Sequence, residues 1–275
     1  MKPEKCRTIL LVIILAVLIP FDSMGAENSS KNKLRVDIGV LIQDYKWAEY
    51  TDNRNKVLEE TGNLYGLTCD IESTKNMIGW RTGIDFFIGQ VDYDGRTWTD
   101  IPVKTDVLYV GTKFYVDVVP GYRLDSGLWL KSFAGLGGQL WLRDLDDTKT
   151  SDGHSVRGAR EWWGCVYGRV GLGAEYPLTE ALAVFIEAGL KLPIYARNEA
   201  SFFASDSPGA SLEPEQDFSG FGNIGFRWKQ WGARVSYDAF RFDRSDAVSS
   251  GELNLYQPQS KSDVYSVEIF WSSGF

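Results

Sequence analysis

The sequence predicts an all-β protein, an antiparallel up-and-down transmembrane β-barrel of about ten strands. Three observations predict it. Stretch after stretch alternates apolar with polar or small residues, the mark of a strand with two different faces. The links between stretches alternate short and long. Beyond the N-terminus, apolar runs such as Ala181 to Ile186 break within a few residues, so no later segment reads as a spanning helix.

The N-terminus reads as an export signal. Lys2, Lys5 and Arg7 form a basic start, Ile9 to Pro20 is an apolar run, and Ser23, Met24, Gly25 and Ala26 form a small-residue end. The apolar run falls short of the roughly 20 residues a spanning helix needs. The expected division is a signal peptide over residues 1–26 and a single barrel domain over 27–275. Cys6 lies before the apolar run, not at the cleavage site, which opposes a lipoprotein. With 37 acidic against 29 basic residues and no basic cluster, nothing invites nucleic acid.

The segments follow in order. The first sets Leu34, Val36, Ile38, Val40 and Ile42 against Arg35, Asp37, Gly39 and Gln43. The second runs from about Leu64 to Glu72, with Tyr65, Leu67 and Ile71 on its apolar face. The third opposes Ile78, Trp80, Ile84, Phe86 and Ile88 to Arg81 and Asp85, and the fourth opposes Leu108, Val110, Phe114, Val116 and Val118 to Lys113 and Asp117. In the fifth, Leu128, Leu130, Ala134, Leu136, Leu140 and Leu142 face away from Lys131 and Arg143. The sixth sets Val166, Val170, Leu172 and Tyr176 against Arg169 and Glu175, and the seventh sets Leu182, Val184, Ile186, Leu190 and Ile194 against Glu187 and Lys191. Weaker segments run from about Phe221 to Trp228 and from about Ala233 to Phe242. The last carries Tyr265, Val267, Ile269, Trp271 and Phe275 on one parity. Eight or twelve strands stay compatible with the pattern, because weak segments can merge or split.

The short links are Ser73 to Asn76, Arg123 to Gly127, Pro177 to Ala181 and Lys229 to Gly232. The long, polar ones are Ala48 to Asn63, Asp92 to Thr105, Asp144 to Trp163, Arg197 to Ser219 and Asp243 to Asp263. Short turns on one rim and long loops on the other fit a membrane barrel. A soluble barrel would have to hide the apolar parity of nearly every strand inside one small interior. Tyr45, Trp47, Trp129, Trp162, Trp163, Tyr176, Trp228, Trp231 and Trp271 are expected to form interfacial girdles.

The chain ends VYSVEIFWSSGF, aromatic and apolar at alternate positions up to Phe275. This resembles the C-terminal signature of bacterial outer-membrane β-barrel proteins, small porin-like barrels included. The resemblance implies an outer-membrane location reached through the periplasm, lipid around the barrel, and recognition of Tyr265, Val267, Ile269, Trp271 and Phe275 by the barrel-assembly machinery.

If the apolar parity faces lipid, the other lines the lumen. The expected lumen-lining residues are Arg35, Asp37, Arg81, Asp85, Lys113, Asp117, Lys131, Arg143, Arg169, Glu175, Glu187, Lys191, Arg227, Arg234, Asp238 and Glu268, with Asp70 and Glu72 beside them. The signs balance, so cross-lumen ion pairs are expected, since charges do not sit unpaired in a narrow interior. Large-solute transport belongs to wider barrels. Cys69 falls on the lipid parity and Cys165 on the lumen parity, so two free thiols are expected.

The sequence shows no metal constellation and no cofactor motif. Its one histidine, His154, follows Asp152 in a long loop, and Asp92 and Asp94 open another. Omptin proteases, ten-stranded outer-membrane barrels, use an Asp–Asp and an Asp–His pair above the lumen to activate water, and these spacings are similar. The Asp-x-His falls one hairpin earlier than that family places it, and no other omptin motif accompanies it. The sequence therefore favours a non-enzymatic barrel displaying five long loops for a structural or surface-binding role. The loop from Arg197 to Ser219, with Phe202, Phe203, Pro208 and Pro214, is the expected contact surface. A narrow channel for small solutes and an omptin-like protease are the alternatives.

Overall fold

The computed structural model describes residues 33–75, 77–97, 100–150, 152–202, 209–250 and 253–274. The expected signal peptide, residues 1–26, and Phe203, Pro208 and Phe275 lie outside the described residues. The strands, in chain order, are β1 (Lys33–Tyr50), β2 (Lys56–Lys75), β3 (Ile78–Arg96), β4 (Pro102–Arg123), β5 (Trp129–Leu145), β6 (Thr148–Lys149), β7 (Ser155–Val156), β8 (Ala159–Pro177), β9 (Leu182–Phe202), β10 (Ala210–Leu212), β11 (Ser219–Trp228), β12 (Trp231–Phe242), β13 (Val248–Ser250), β14 (Leu253–Leu255) and β15 (Gln259–Gly274).

Ten of these form the wall, each antiparallel to its neighbours, in the order β1, β2, β3, β4, β5, β8, β9, β11, β12, β15. Pairing of β15 with β1, from Arg35 opposite Gly274 to Tyr50 opposite Gln259, closes the ring. Closure satisfies the backbone of every wall strand within the wall and leaves no open edge in lipid. The remaining strands are short: β6 pairs β7, β13 pairs β14, and β10 adds to the outer end of β9.

The alternation in sequence becomes an outside and an inside. Ile38, Val40, Ile42, Leu67, Phe86, Ile88, Leu136, Ile186 and Ile269 are each more than half exposed, while Asp37, Leu41 and Gln43 between them are buried. Water would penalise such a surface, whereas acyl chains do not, so this band is the lipid belt. On β1 the belt stops at Ile42, and the next outward residues are Asp44 and Lys46.

Four of the expected girdle aromatics, Trp129 among them, lie on the lumen parity. Trp162, Tyr176, Trp228, Trp231 and Trp271 are exposed on the outer surface. Trp129 is half-buried beneath the Arg123 guanidinium. Tyr45, Trp47 and Trp163 point inward instead and are 5%, 2% and 2% exposed. They lie on the lumen parity, and parity outranks residue type.

Two expected long loops are shorter than the sequence indicates. The Ala48–Asn63 link shrinks to the turn between Tyr50 and Lys56, and the Asp92–Thr105 link to the stretch between Arg96 and Pro102. The strands continue past the belt with polar outer faces, where no lipid selects apolar residues. The expected Asp144–Trp163, Arg197–Ser219 and Asp243–Asp263 loops lose several residues to the wall strands β8, β9 and β15 but remain the long ones, and they carry β6–β7, β10 and β13–β14. On the opposite rim the turns are tight. That at Lys229–Gln230 places Lys229 at φ 55°, as a twist-matched two-residue hairpin requires.

A bulge on β9 changes what its outer half presents. Val166 pairs with Tyr195 and Tyr167 with Pro193, leaving Ile194 as the extra residue. Proline has no N–H to give the ladder, which suits it to an irregularity. Below the bulge Phe185, Glu187 and Lys191 point inward. Above it the parity flips, and Ala196, Asn198 and Ala200 do.

Candidate functional site

The lumen is stratified. Its middle is a layer of paired charge. Arg81 on β3 donates to Asp117 on β4 at 2.9 Å and to both oxygens of Glu187 on β9 at 2.7 Å. Arg169 reaches the other oxygen of Asp117 at 3.2 Å. Lys131 lies 3.4 Å from Glu187, 3.7 Å from Glu72 and 3.9 Å from Glu175. Arg35 pairs with Glu72, and Arg227 bridges Asp37 and Glu175 at 3.1 and 3.2 Å. Arg234 spans Asp70 and Glu268 at 2.8 and 2.5 Å. Lys113 lies 3.2 Å from both Asp85 and Asp238, and Lys191 also pairs with Asp238. The space left between these groups is a cavity of about 90 Å³ and another of about 30 Å³. These hold a few waters at most.

Above the charged layer sits an aromatic plug that the sequence reading missed. Trp141 stacks on Trp163 with centroids 5.3 Å apart and planes 10° from parallel. Trp47 meets Trp163 edge-on at 5.3 Å, and Phe242 lies 5.6 Å from Trp163. Tyr45 packs on Tyr109 at 4.7 Å and Tyr167 on Phe240 at 5.7 Å. Five strands contribute these rings, and each ring faces inward because it shares parity with the charges of its own strand.

Beyond the plug lies a cleft of about 470 Å³ at the mouth on the long-loop side, and the Trp47 and Trp163 indoles donate to Glu49 and Glu161 of its lining. That volume lies in the range of small-molecule sites. Leu58, Val103, Leu145, Val156, Leu212 and Leu255 give it apolar walls. Glu49, Arg143, Glu161, Asn198 and Gln257 line its polar floor.

The floor is one connected network. Glu60, with no exposed surface, accepts from Tyr109 and from Arg143. Arg143 also donates to Glu161 at 2.8 Å, and Glu161 accepts from the Trp163 indole at 2.9 Å and from Asn198 at 3.3 Å. Asn198 donates to Gln257 at 3.0 Å, and Gln257 donates to Glu49 at 3.0 Å. The Trp47 indole also donates to Glu49, to the same oxygen, at 3.0 Å. Glu49 lies seven residues beyond Ile42 on β1, about 18 Å above the belt for a strand tilted by ~40°. Burial there pushes its carboxyl up to about 7, with Arg143 opposing the shift.

The proposed Asp–Asp and Asp–His pairs stand apart from this floor. Asp92 and Asp94 continue the outward parity of Ile84, Phe86 and Ile88, so they sit on the outer wall, where Lys104 meets Asp94 at 2.9 Å. Asp152 and His154 occupy the tip between β6 and β7, with His154 Nε2 3.7 Å from Asp152 and 80% of its side chain exposed. The Thr150 hydroxyl donates to Asp152 and holds its carboxyl below the usual range. No contact among the described residues joins the two pairs. Of the residues expected to line the lumen, only Arg143 reaches the mouth cleft. Glu49, Asn198 and Gln257 were not singled out by the sequence. Pro193 was the available signal for Asn198, since a proline inside a strand marks a bulge and a change of parity.

No family model matches the sequence, and no curated protein matches it. The fold is similar to the crystal structure of the outer membrane protease OmpT from Escherichia coli, at 9% identity and TM-score 0.64, over 91% of this chain and 99% of that one. Weaker superpositions include the outer membrane protein OprG from Pseudomonas aeruginosa, at 9% identity and TM-score 0.37 over 90% of this chain and 97% of that one. The toluene transporter TodX of Pseudomonas putida superposes at 10% identity and TM-score 0.35, over 89% of this chain and 90% of that one. At these identities the likeness is one of fold, and OmpT alone of the three exceeds a TM-score of 0.5. The chain folds as a closed ten-stranded barrel of the outer-membrane type.

Proposed function

We propose that the protein is a non-enzymatic barrel of a bacterial outer membrane, exported through the periplasm, that binds a ligand at its outward mouth. The observation that carries this reading is the plug. Trp47, Trp141, Trp163 and Phe242 fill the lumen between the charged layer and the mouth cleft. A ligand entering from outside meets a floor instead of a passage. The cleft combines apolar walls with a few convergent polar groups, the usual make-up of a binding site. The outward placement of Asp92 and Asp94 gives a water-activating site no support. The exposed row Tyr265, Val267, Ile269 and Trp271 on β15 suits recognition by the assembly machinery before the ring closes.

Planar-bilayer recording of the refolded protein tests the sealed lumen. The expected trace is silent. Discrete, reproducible openings by the unaltered protein contradict the reading and favour a narrow channel.

A further inference from the structure

The floor of the mouth cleft presents two hydrogen-bond acceptors that lack donors. Glu49 is 5% exposed. Both its described donors, Trp47 Nε1 and Gln257 Nε2, go to Oε1. Among the described residues nothing donates to Oε2, and no ion pair includes Glu49. Asn198 is 1% exposed; its Nδ2 serves Glu161 and Gln257, while its Oδ1 has no partner. Gln257 bonds both residues and holds them side by side. Of the arginines that line the cleft, Arg143 is committed to Glu60 and Glu161, Arg96 pairs with Asp100, and Arg157 has a partner of its own. A buried acceptor without a donor is costly, and a buried carboxylate without a cation more so.

We infer that the cleft takes a small alkylamine, its ammonium head seated between Glu49 Oε2 and Asn198 Oδ1 and its carbon chain along Leu58, Val103, Leu212 and Leu255. The inference rests on the binding role given to the cleft above, and it names the ligand class. An ammonium carries three donors and no acceptor, so it can serve both oxygens and neutralise the carboxylate at once. A hydroxyl brings one donor and no charge. A calcium ion wants six to eight oxygens, and the floor offers these two. Apolar walls beside the polar floor give the ligand's tail a surface that a hydrated inorganic ion would not use.

The test is calorimetric titration of the folded protein in detergent with n-butylammonium chloride and, in parallel, 1-butanol, corrected against empty micelles. Butylammonium is expected to bind at least tenfold more tightly than butanol, and Glu49→Gln is expected to abolish that advantage. Heat-modifiable migration on a denaturing gel checks that the variant is folded. In the unaltered protein, the Trp47 indole N–H resonance is expected to shift with butylammonium and not with butanol, which keeps the test independent of the variant. Equal affinity for the two probes, or an advantage that persists in Glu49→Gln, overturns the amine assignment while leaving a ligand-binding cleft in place. Binding of neither probe overturns the amine assignment and counts against the cleft as a binding site.

Discussion

Arg81 on β3 reaches across the lumen to Glu187 on β9 and meets both carboxylate oxygens at 2.7 Å. The two strands stand four places apart in a ring of ten, so the pair ties opposite walls together. Both residues are buried, and Asp117 takes a further bond from Arg81. Removing one partner strands the other. Arg81→Ala or Glu187→Ala is expected to cost about 3–5 kcal/mol. The double replacement Arg81→Met with Glu187→Leu is expected to cost less than the two single losses summed. Urea unfolding in micelles, followed by tryptophan emission, measures all three. A loss under 1 kcal/mol for either single variant would contradict the buried pair.

The lipid belt makes a sided prediction. Leu136 is 58% exposed on β5, near the middle of the belt. Leu136→Arg is expected to destabilise the barrel by about 2–4 kcal/mol in a bilayer, the usual cost near the midplane. Lys46→Arg, on the outward parity beyond the belt, is expected to change stability by less than about 0.5 kcal/mol. Equal effects at the two positions would mean that the belt is misplaced.

The plug can be opened. Trp141 and Trp163 stack face to face, and both are almost fully buried. Replacing both with Ala removes the centre of the plug and leaves the charged layer below. The double variant is expected to show brief, small openings in planar bilayers that the unaltered protein lacks. Silence from a folded double variant would place the barrier in the ion-pair layer instead.

The mouth should soften as the solution turns alkaline. Burial raises the Glu49 carboxyl from 4.5 to about 7, so the fold favours its uncharged form. A raised folded value means that this contribution to stability is complete below the ordinary carboxyl range and is lost as pH rises through about 7. The loss amounts to about 3 kcal/mol. Glu60 and Glu161 face Glu49 and strengthen the effect, while Arg143 opposes it. After correction for base-catalysed intrinsic exchange, protection of the amides at the outer ends of β1 and β2 should fall between pH 6 and pH 8, by roughly an order of magnitude. Glu49→Gln should flatten that dependence, and an unchanged pH profile in the variant would refute the assignment.

The wall was legible because lipid imposes a strict rule. Ile38, Val40 and Ile42 alternate with Asp37, Gly39 and Gln43, and a one-residue slip would expose the whole charged set to acyl chains. Beyond the belt that rule lapses. The outward residues Asp44 and Lys46 look like loop, so the outer ends of β1 and β2 went unread as strand. The plug was partly legible. Trp47 shares parity with Asp37 and Gln43, and Trp163 with Arg169, but aromatic residues near strand ends also mark interfaces, and that association misplaced them. Asn198 was hidden by the β9 bulge, which reverses the parity that Glu187 and Lys191 establish. Gln257 comes from the loop before β15, where no periodicity exists to read.

The central claim is which way the wall faces. Quenching by brominated lipids in single-tryptophan variants tests it most directly. Trp231, 57% exposed on the outer surface, should be strongly quenched, and Trp163, 2% exposed within the plug, should be almost untouched. Comparable quenching of Trp163 and Trp231 would contradict the account.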